Sequence, residues 1–291
     1  MKCSILNDVL SPAPPEQLYH YTTQPGLVGI VKDREIWATH TQYLNDQQEY
    51  LHAVQMVRNE IEVMLNETSD GTAKRILTDM GNGIEGIESM NICVCSFSEV
   101  KDSLSQWRAY GGSSSGYAIG FHGSFLCEIS HKHDFYLVRC MYTPSEQKAL
   151  IRALLEEVLE ENTARSNSAE MKFLPQGGNL CAYLHRYAPI LKDLSFAEER
   201  EWRLISRPMS CTRERFDYRS GRSMIIPYYR LPLFADEVLF QISEVVVGPT
   251  PHPLQAIRSV TSLLVKMGLR EAGGTFGTVP VSSSLVPYRN W

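Results

Sequence analysis

The stretch Phe196-Ala197-Glu198-Glu199-Arg200-Glu201-Trp202-Arg203-Leu204 concentrates the residue types that carry acid–base chemistry. On a strand beginning at Glu199, alternation sends Glu199, Glu201 and Arg203 to one face and Arg200, Trp202 and Leu204 to the other. Two carboxylates beside one guanidinium form a site-like set. One acid stays ionised against the arginine while its neighbour is raised by like charge, and such a pair stabilises a developing cation or acts as a base. The same alternation also suits an ion-pair ladder on a sheet surface.

Three other segments hold candidate side chains. In Leu18-Tyr19-His20-Tyr21-Thr22, His20 and Thr22 share one strand face and the two tyrosines the other. A histidine among aromatics serves either packing or catalysis. Ser96-Phe97-Ser98-Glu99 offers two hydroxyls on one face, able to hold a ribose or to cap the next turn. Leu104 to Tyr110 reads as a short helix with Trp107 and Tyr110 on one side, a core pattern when taken alone. Ser113-Ser114-Ser115, after Gly111-Gly112, lacks a P-loop lysine and reads as a turn. His131-Lys132-His133 reads as a loop with no cysteine or acid cluster beside it, so no metal site is expected. No G-x-S-x-G elbow, H-E-x-x-H or kinase set is present.

The chain of 291 residues is 43% hydrophobic and 21% charged, which suits a folded domain and excludes a disordered one. A net charge of -5 argues against nonspecific nucleic-acid binding by the whole surface. The charge is uneven, however. From Arg200 to Arg230 there are eight arginines, no lysine, and only Glu201, Glu214 and Asp217 as acids. Guanidinium forks suit phosphate, so this segment faces either an anionic ligand or solvent. The seven cysteines are scattered without C-x-x-C units, as expected of reduced structural thiols; Cys93 and Cys95 would share one strand face as small core residues. No apolar run approaches the roughly 20 residues of a membrane span, and the N-terminus lacks an apolar signal core, so a cytoplasmic protein is expected.

These residues need elements to hold them. Residues 1–17 read as an N-terminal arm, and 18–291 as a single α+β domain. Leu18 to Tyr21 is a short strand. Thr23 then caps a helix with Pro25 in its first turn and Leu27, Ile30 and Val31 buried. Ile36 to Ala38 is a second strand. Asn45-Asp46 caps an amphipathic helix reaching about Leu65. Strands are expected at 92–97, 116–121, 136–141, 202–205, 224–229, 242–247 and 278–282. Helices are expected at 146–161, 180–191 and 253–267. Without regular βαβ alternation this order implies α+β, with a mostly antiparallel, split sheet flanked by helices.

Taken in order, these pieces resemble the bacterial family described as domain of unknown function 2971. The resemblance rests on Leu18–Thr22, Leu44-Asn45-Asp46 with Glu49, Cys95–Glu99, Trp107–Tyr110 with Gly116–Phe121, Glu199–Arg203 and Val245–Pro249. More weakly, the chain is similar to the ADP-ribosyltransferase superfamily, whose members set a histidine or arginine, a tyrosine or Ser-x-Ser, and a glutamate on successive strands. His20, Ser96-Phe97-Ser98 and Glu199-Arg200-Glu201 stand at those places. Joining a histidine first strand to a serine second strand departs from both standard subtypes.

That second resemblance implies an enzyme that cleaves the nicotinamide–ribose bond of NAD, as a bacterial toxin or phage-defence effector, with no metal. Glu201 or Glu199 would meet the oxocarbenium-like sugar. His20 would bind a ribose hydroxyl, and Ser96 or Ser98 would support the carboxylate. Tyr21, Trp107 or Tyr110 would stack on nicotinamide, and Arg203 or another arginine would meet the pyrophosphate. The acceptor macromolecule is left open. The alternative is a noncatalytic module that binds a nucleotide or nucleic acid through residues 200–230.

Overall fold

A computed structural model describes residues 2–44, 48–84, 91–111, 116–166, 180–269 and 279–288. In chain order it has α1 (Lys2–Leu10), β1 (Gln17–Thr22), α2 (Gln24–Asp33), β2 (Glu35–His40), α3 (Gln48–Glu67), α4 (Gly71–Gly83), β3 (Cys93–Ser98) and α5 (Leu104–Tyr110). Then follow β4 (Tyr117–His122), α6 (Gly123–Lys132), β5 (Phe135–Arg139), α7 (Pro144–Ser166), α8 (Leu180–Tyr187), β6 (Glu201–Ser206), β7 (Phe216–Ser220), β8 (Ile225–Pro232), β9 (Glu244–Val247), α9 (Pro253–Lys266) and β10 (Val281–Ser283). The expected caps at Asn45-Asp46, the turn at Gly112 and Ser113–Ser115, and the start of the last strand at Thr278 lie outside the described residues.

The strands form one sheet in the order β10-β9-β4-β1-β3-β2-β8-β7, with β6 and β5 branching from β3. Every pairing is antiparallel except β9 with β10. The branch makes the split. β6 pairs with β3 from Val94 to Ser98, which fills one edge of β3. On the other edge, β2 pairs at Cys93 and Val94 and β1 at Ser98. The edge from Cys95 to Phe97 therefore lies in a gap between β1 and β2.

Alternation sorts the side chains into two cores. Leu18, Cys95, Phe97, Ile119, Phe121, Trp202 and Leu204 point to one face, under α2, α6 and α9. Cys93 and Cys95 both belong to that core, as their spacing implies. On the opposite face Val94, Val138 and Ile205 pack against α3, α4, α7 and α8. A smaller cluster on that second face joins Tyr19, Tyr21, Ala118 and Val246 to Trp107 of α5. Gly248 lets α5 approach closely, because a Cβ there would lie 2.8 Å from the Gly116 carbonyl oxygen and 2.9 Å from the Trp107 ring. Thr23 caps α2 as its position predicts, accepting a hydrogen bond from the Gly26 amide at 3.3 Å.

Three local expectations give way to tertiary packing. Residues 2–10 are not a loose arm: they form α1, with Leu6 buried among the helices of the second core. The Tyr187 hydroxyl donates to the Leu6 carbonyl at 3.2 Å. His131 and Lys132 end α6 and are not in a loop. β6 begins at Glu201, not Glu199, since residues 194–199 form a 3-10 turn that ends at Arg200 in the left-handed region (φ 44°). Glu199 thus precedes the strand.

The packing of α1 is testable. Replacing Leu6 with alanine should lower unfolding stability by about 2–5 kcal/mol, the cost of emptying a buried leucine site. Urea denaturation measures this directly. A free arm would give no change in midpoint.

Candidate functional site

The acids of the 196–204 segment come together through register and one unanticipated lysine. Ser98 pairs with Glu201 and Ser96 with Arg203 across β3 and β6, and cross-strand partners point to the same face. Tyr19 pairs with Ser98, which places Tyr19 and Tyr21 on that face as well. The 3-10 turn delivers Glu199 beside Glu201. The Ser98 hydroxyl pins this turn, donating to the Glu199 carbonyl at 2.7 Å and accepting from the Val100 amide at 3.0 Å.

Glu201 is buried, 4% exposed. Arg203, also buried, grips it with two donors, Nε to Oε1 at 2.7 Å and Nη2 to Oε2 at 3.0 Å. The third guanidinium nitrogen, Nη1, donates to the Pro189 carbonyl at 2.7 Å. Buried Lys192 bonds both Glu199 and Glu201 through Nζ, and lies 5.1 Å from the centre of the Phe196 ring. The Tyr142 hydroxyl accepts from the Glu201 amide at 2.8 Å. Two acids and two cations thus neutralise one another out of water.

The two carboxylates are pushed in opposite directions. Burial alone would raise Glu201, but Arg203 and Lys192 outweigh it and hold its pKa down to about 2. Glu199 is raised, because burial outweighs the help of Lys192 and the Glu201 charge adds to the penalty. Half-buried Tyr110 senses the cluster: burial, then the charges of Glu201 and Glu199, push its pKa up to about 12. Ser96, also half-buried, sits on the same face as Arg203.

The other sequence candidates go elsewhere. His20 lies on the opposite face of the sheet from Glu201, with its ring 5.7 Å from Phe97 and Nδ1 3.8 Å from Cys95 Sγ. Its Nδ1 donates to the Ser96 carbonyl at 2.9 Å, within the gap between β1 and β2. Burial lowers its pKa against the pull of that hydrogen bond, which leaves a neutral ring with Nε2 as acceptor. The expectation that His20 and Glu201 surround one sugar is therefore corrected, since the strand register sends them to opposite sides of β3.

Tyr21 is buried, its hydroxyl donating to the Val100 carbonyl at 2.7 Å and accepting from the Ser103 amide at 3.1 Å. Trp107 is 3% exposed, its ring 4.7 Å from Tyr21 and its Nε1 donating to Asp102 at 2.7 Å. Neither offers a free ring for nicotinamide; both hold α5 in place. Arg203 faces Glu201 and a carbonyl, not a pyrophosphate. Of the aromatic candidates, Tyr110 alone combines partial exposure with the acid cluster.

Comparison with known proteins adds one finding. Residues 106–204 match a family model. Its description is a protein of unknown function, DUF2971. The matched segment runs from α5 through β6 and so contains Tyr110, Tyr142, Lys192, Glu199, Glu201 and Arg203. No curated protein and no solved structure matches the chain.

Lys192 and Tyr142 are the site residues that sequence reasoning missed. A lysine following Leu191 and preceding the turn-capping Asp193 carries no local signal of burial; only the meeting of the turn with β6 reveals it.

The Glu201 pair makes a pH prediction. Its folded pKa lies below the unfolded value, so its contribution to stability is complete above the ordinary carboxylate range. That contribution disappears as pH falls from about 4.5 toward about 2. Replacing Arg203 with methionine should strand the buried carboxylate, costing about 3–5 kcal/mol at neutral pH. It should also flatten the acid limb of the stability curve, measured by thermal melts across pH.

Proposed function

We propose that the chain is an enzyme that cleaves or transfers at the glycosidic bond of a nucleotide, with NAD as the first substrate to test. The observation that carries this reading is the division of labour between the two acids. Glu201 is fixed as an anion by Arg203 and Lys192, while Glu199, beside it, has its pKa raised by burial. A carboxylate of raised pKa next to a permanent carboxylate suits glycosyl transfer from NAD. Nicotinamide leaves with the bonding pair as a neutral base, and the first acid in its ionised form takes the proton of the attacking water or acceptor hydroxyl. The permanent anion opposes the growing positive charge at the sugar.

In this reading Glu199 is the general base toward the attacking water or acceptor hydroxyl, and Glu201 supplies the field. Lys192 and Arg203 are positioning residues, because they act on the acids and not on substrate. Ser98 is likewise a positioning residue, fixing the backbone of the Glu199 turn. Tyr110 and Ser96 supply an aromatic surface and a hydroxyl at the partly exposed edge of the cluster. The reading does not use His20, Tyr21 or Trp107 at the sugar. Action as a toxin or phage-defence effector, and the identity of any acceptor, follow only if NAD is consumed.

Incubating purified protein with NAD should release nicotinamide, followed by chromatography. Glu199→Gln should reduce the rate at least a hundredfold with the melting temperature preserved, in line with the usual worth of a general base. His20→Gln should lose much less. As pH rises through the Glu199 pKa, the wild-type rate should rise while the variant's residual rate stays flat. Nicotinamide release that survives Glu199→Gln, or no turnover of any nucleotide, defeats the assignment.

A further inference from the structure

The far wing of the sheet presents a different chemistry on the side away from the first core. Across β2 and β8, Trp37 pairs with Arg230 and Thr39 with Tyr228. Across β7 and β8, Asp217 pairs with Tyr228 and Arg219 with Ile226. The Arg230 amide donates to the Arg215 carbonyl at 2.9 Å, which extends the same register by one residue. The alternate residues Ile36, Ala38, Phe216, Tyr229 and Leu231 enter the first core. The outward face of the wing therefore carries Trp37, Tyr228, Arg215, Arg219 and Arg230.

Trp37 is 50% exposed although large and apolar. Its ring lies 4.5 Å from that of Tyr228, with 35° between the planes, so one side is backed and the rest is open. Arg215 bonds Glu35, and Arg230 lies 3.6 Å from Asp217. The Nε atoms of Arg219 and Arg230 are buried with no hydrogen-bond partner among the described residues. Exposed Arg213 and Arg222 flank the strands. From Arg213 to Arg230, five arginines face two acids, Glu214 and Asp217, in a chain whose net charge is -5. The wing is a local basic surface on an acidic protein.

We infer that this wing binds a single-stranded polynucleotide, one base stacking on Trp37 and the neighbouring phosphates meeting Arg213, Arg219, Arg222 and Arg230. A backed, half-open indole is a platform for an unpaired base, which a duplex keeps inside its stack and an acidic peptide does not possess. The guanidinium groups supply the backbone contacts. This surface is independent of the Glu199–Glu201 cluster.

The test is fluorescence anisotropy of the full chain with labelled DNA and RNA oligonucleotides of about 20 nucleotides. Saturable binding of either is expected, the tighter of the two naming the natural strand, with affinity falling about tenfold or more between about 50 and 200 mM salt. Trp37→Ala should weaken binding about tenfold and Trp37→Phe should recover most of it. Arg219→Ala should reduce the salt slope. Both positions lie on the surface, and circular dichroism checks that each variant is folded. Glu199→Gln should bind like wild type, which separates this inference from the catalytic one. Absence of saturable binding overturns it. So does binding that Trp37→Ala leaves unchanged and polyglutamate competes away, since that is bare charge attraction.

Discussion

A carboxylate removed from water is costly unless charge and hydrogen bonds replace its hydration. Glu201 obtains both from two parts of the chain, Arg203 two residues further along β6 and Lys192 from the segment before it, while its backbone amide donates to the Tyr142 hydroxyl. Satisfying one anion therefore draws the start of β6 and the 188–199 segment toward a common point, where Tyr142 meets the same residue's backbone. The 3-10 turn that carries Glu199 is tied to the same point by Lys192 and by Ser98 of β3. The acidic cluster is thus a structural junction as well as a chemical one, with Glu201 inside it and Glu199 at its margin.

The sheet around this junction divides its two faces between tasks. One face is almost wholly apolar and is sealed by α2, α6 and α9. The other changes character along its length, from helix-covered aliphatic residues, through the polar cluster, to the open aromatic and arginine wing. The charged cluster and the arginine wing both lie on that second face. The family match over residues 106–204 contains Lys192, Glu199, Glu201 and Arg203 but neither Trp37 nor the arginines of the wing.

Much of this was legible in the chain. The α+β class, the antiparallel sheet and the Thr23 cap follow from period and capping chemistry, which are local. Glu201 and Arg203 share a face because two-residue spacing on a strand requires it. Glu199 reaches them by a different route, since Arg200 in a left-handed conformation ends a turn there and breaks the alternation. His20 marks where sequence reasoning failed. Its place on an early strand was plain, but which way it points relative to Glu201 depends on how Tyr19 aligns with Ser98, a pairing of residues distant in sequence. Lys192 was invisible for the same reason. α1 carries little local helix signal, and the core that buries Leu6 is what reveals it.

The hydrogen bond from His20 to the Ser96 carbonyl has a structural consequence of its own. Where β1 and β2 diverge, the middle of β3 is left with backbone groups that no neighbouring strand takes up, and such an edge invites a foreign strand to dock. The imidazole already occupies the acceptor that an intruding peptide would need, and its neutral state keeps that bond without burying a charge. A ring in place of a strand lets the sheet open at its centre while the Ser96 carbonyl keeps a donor.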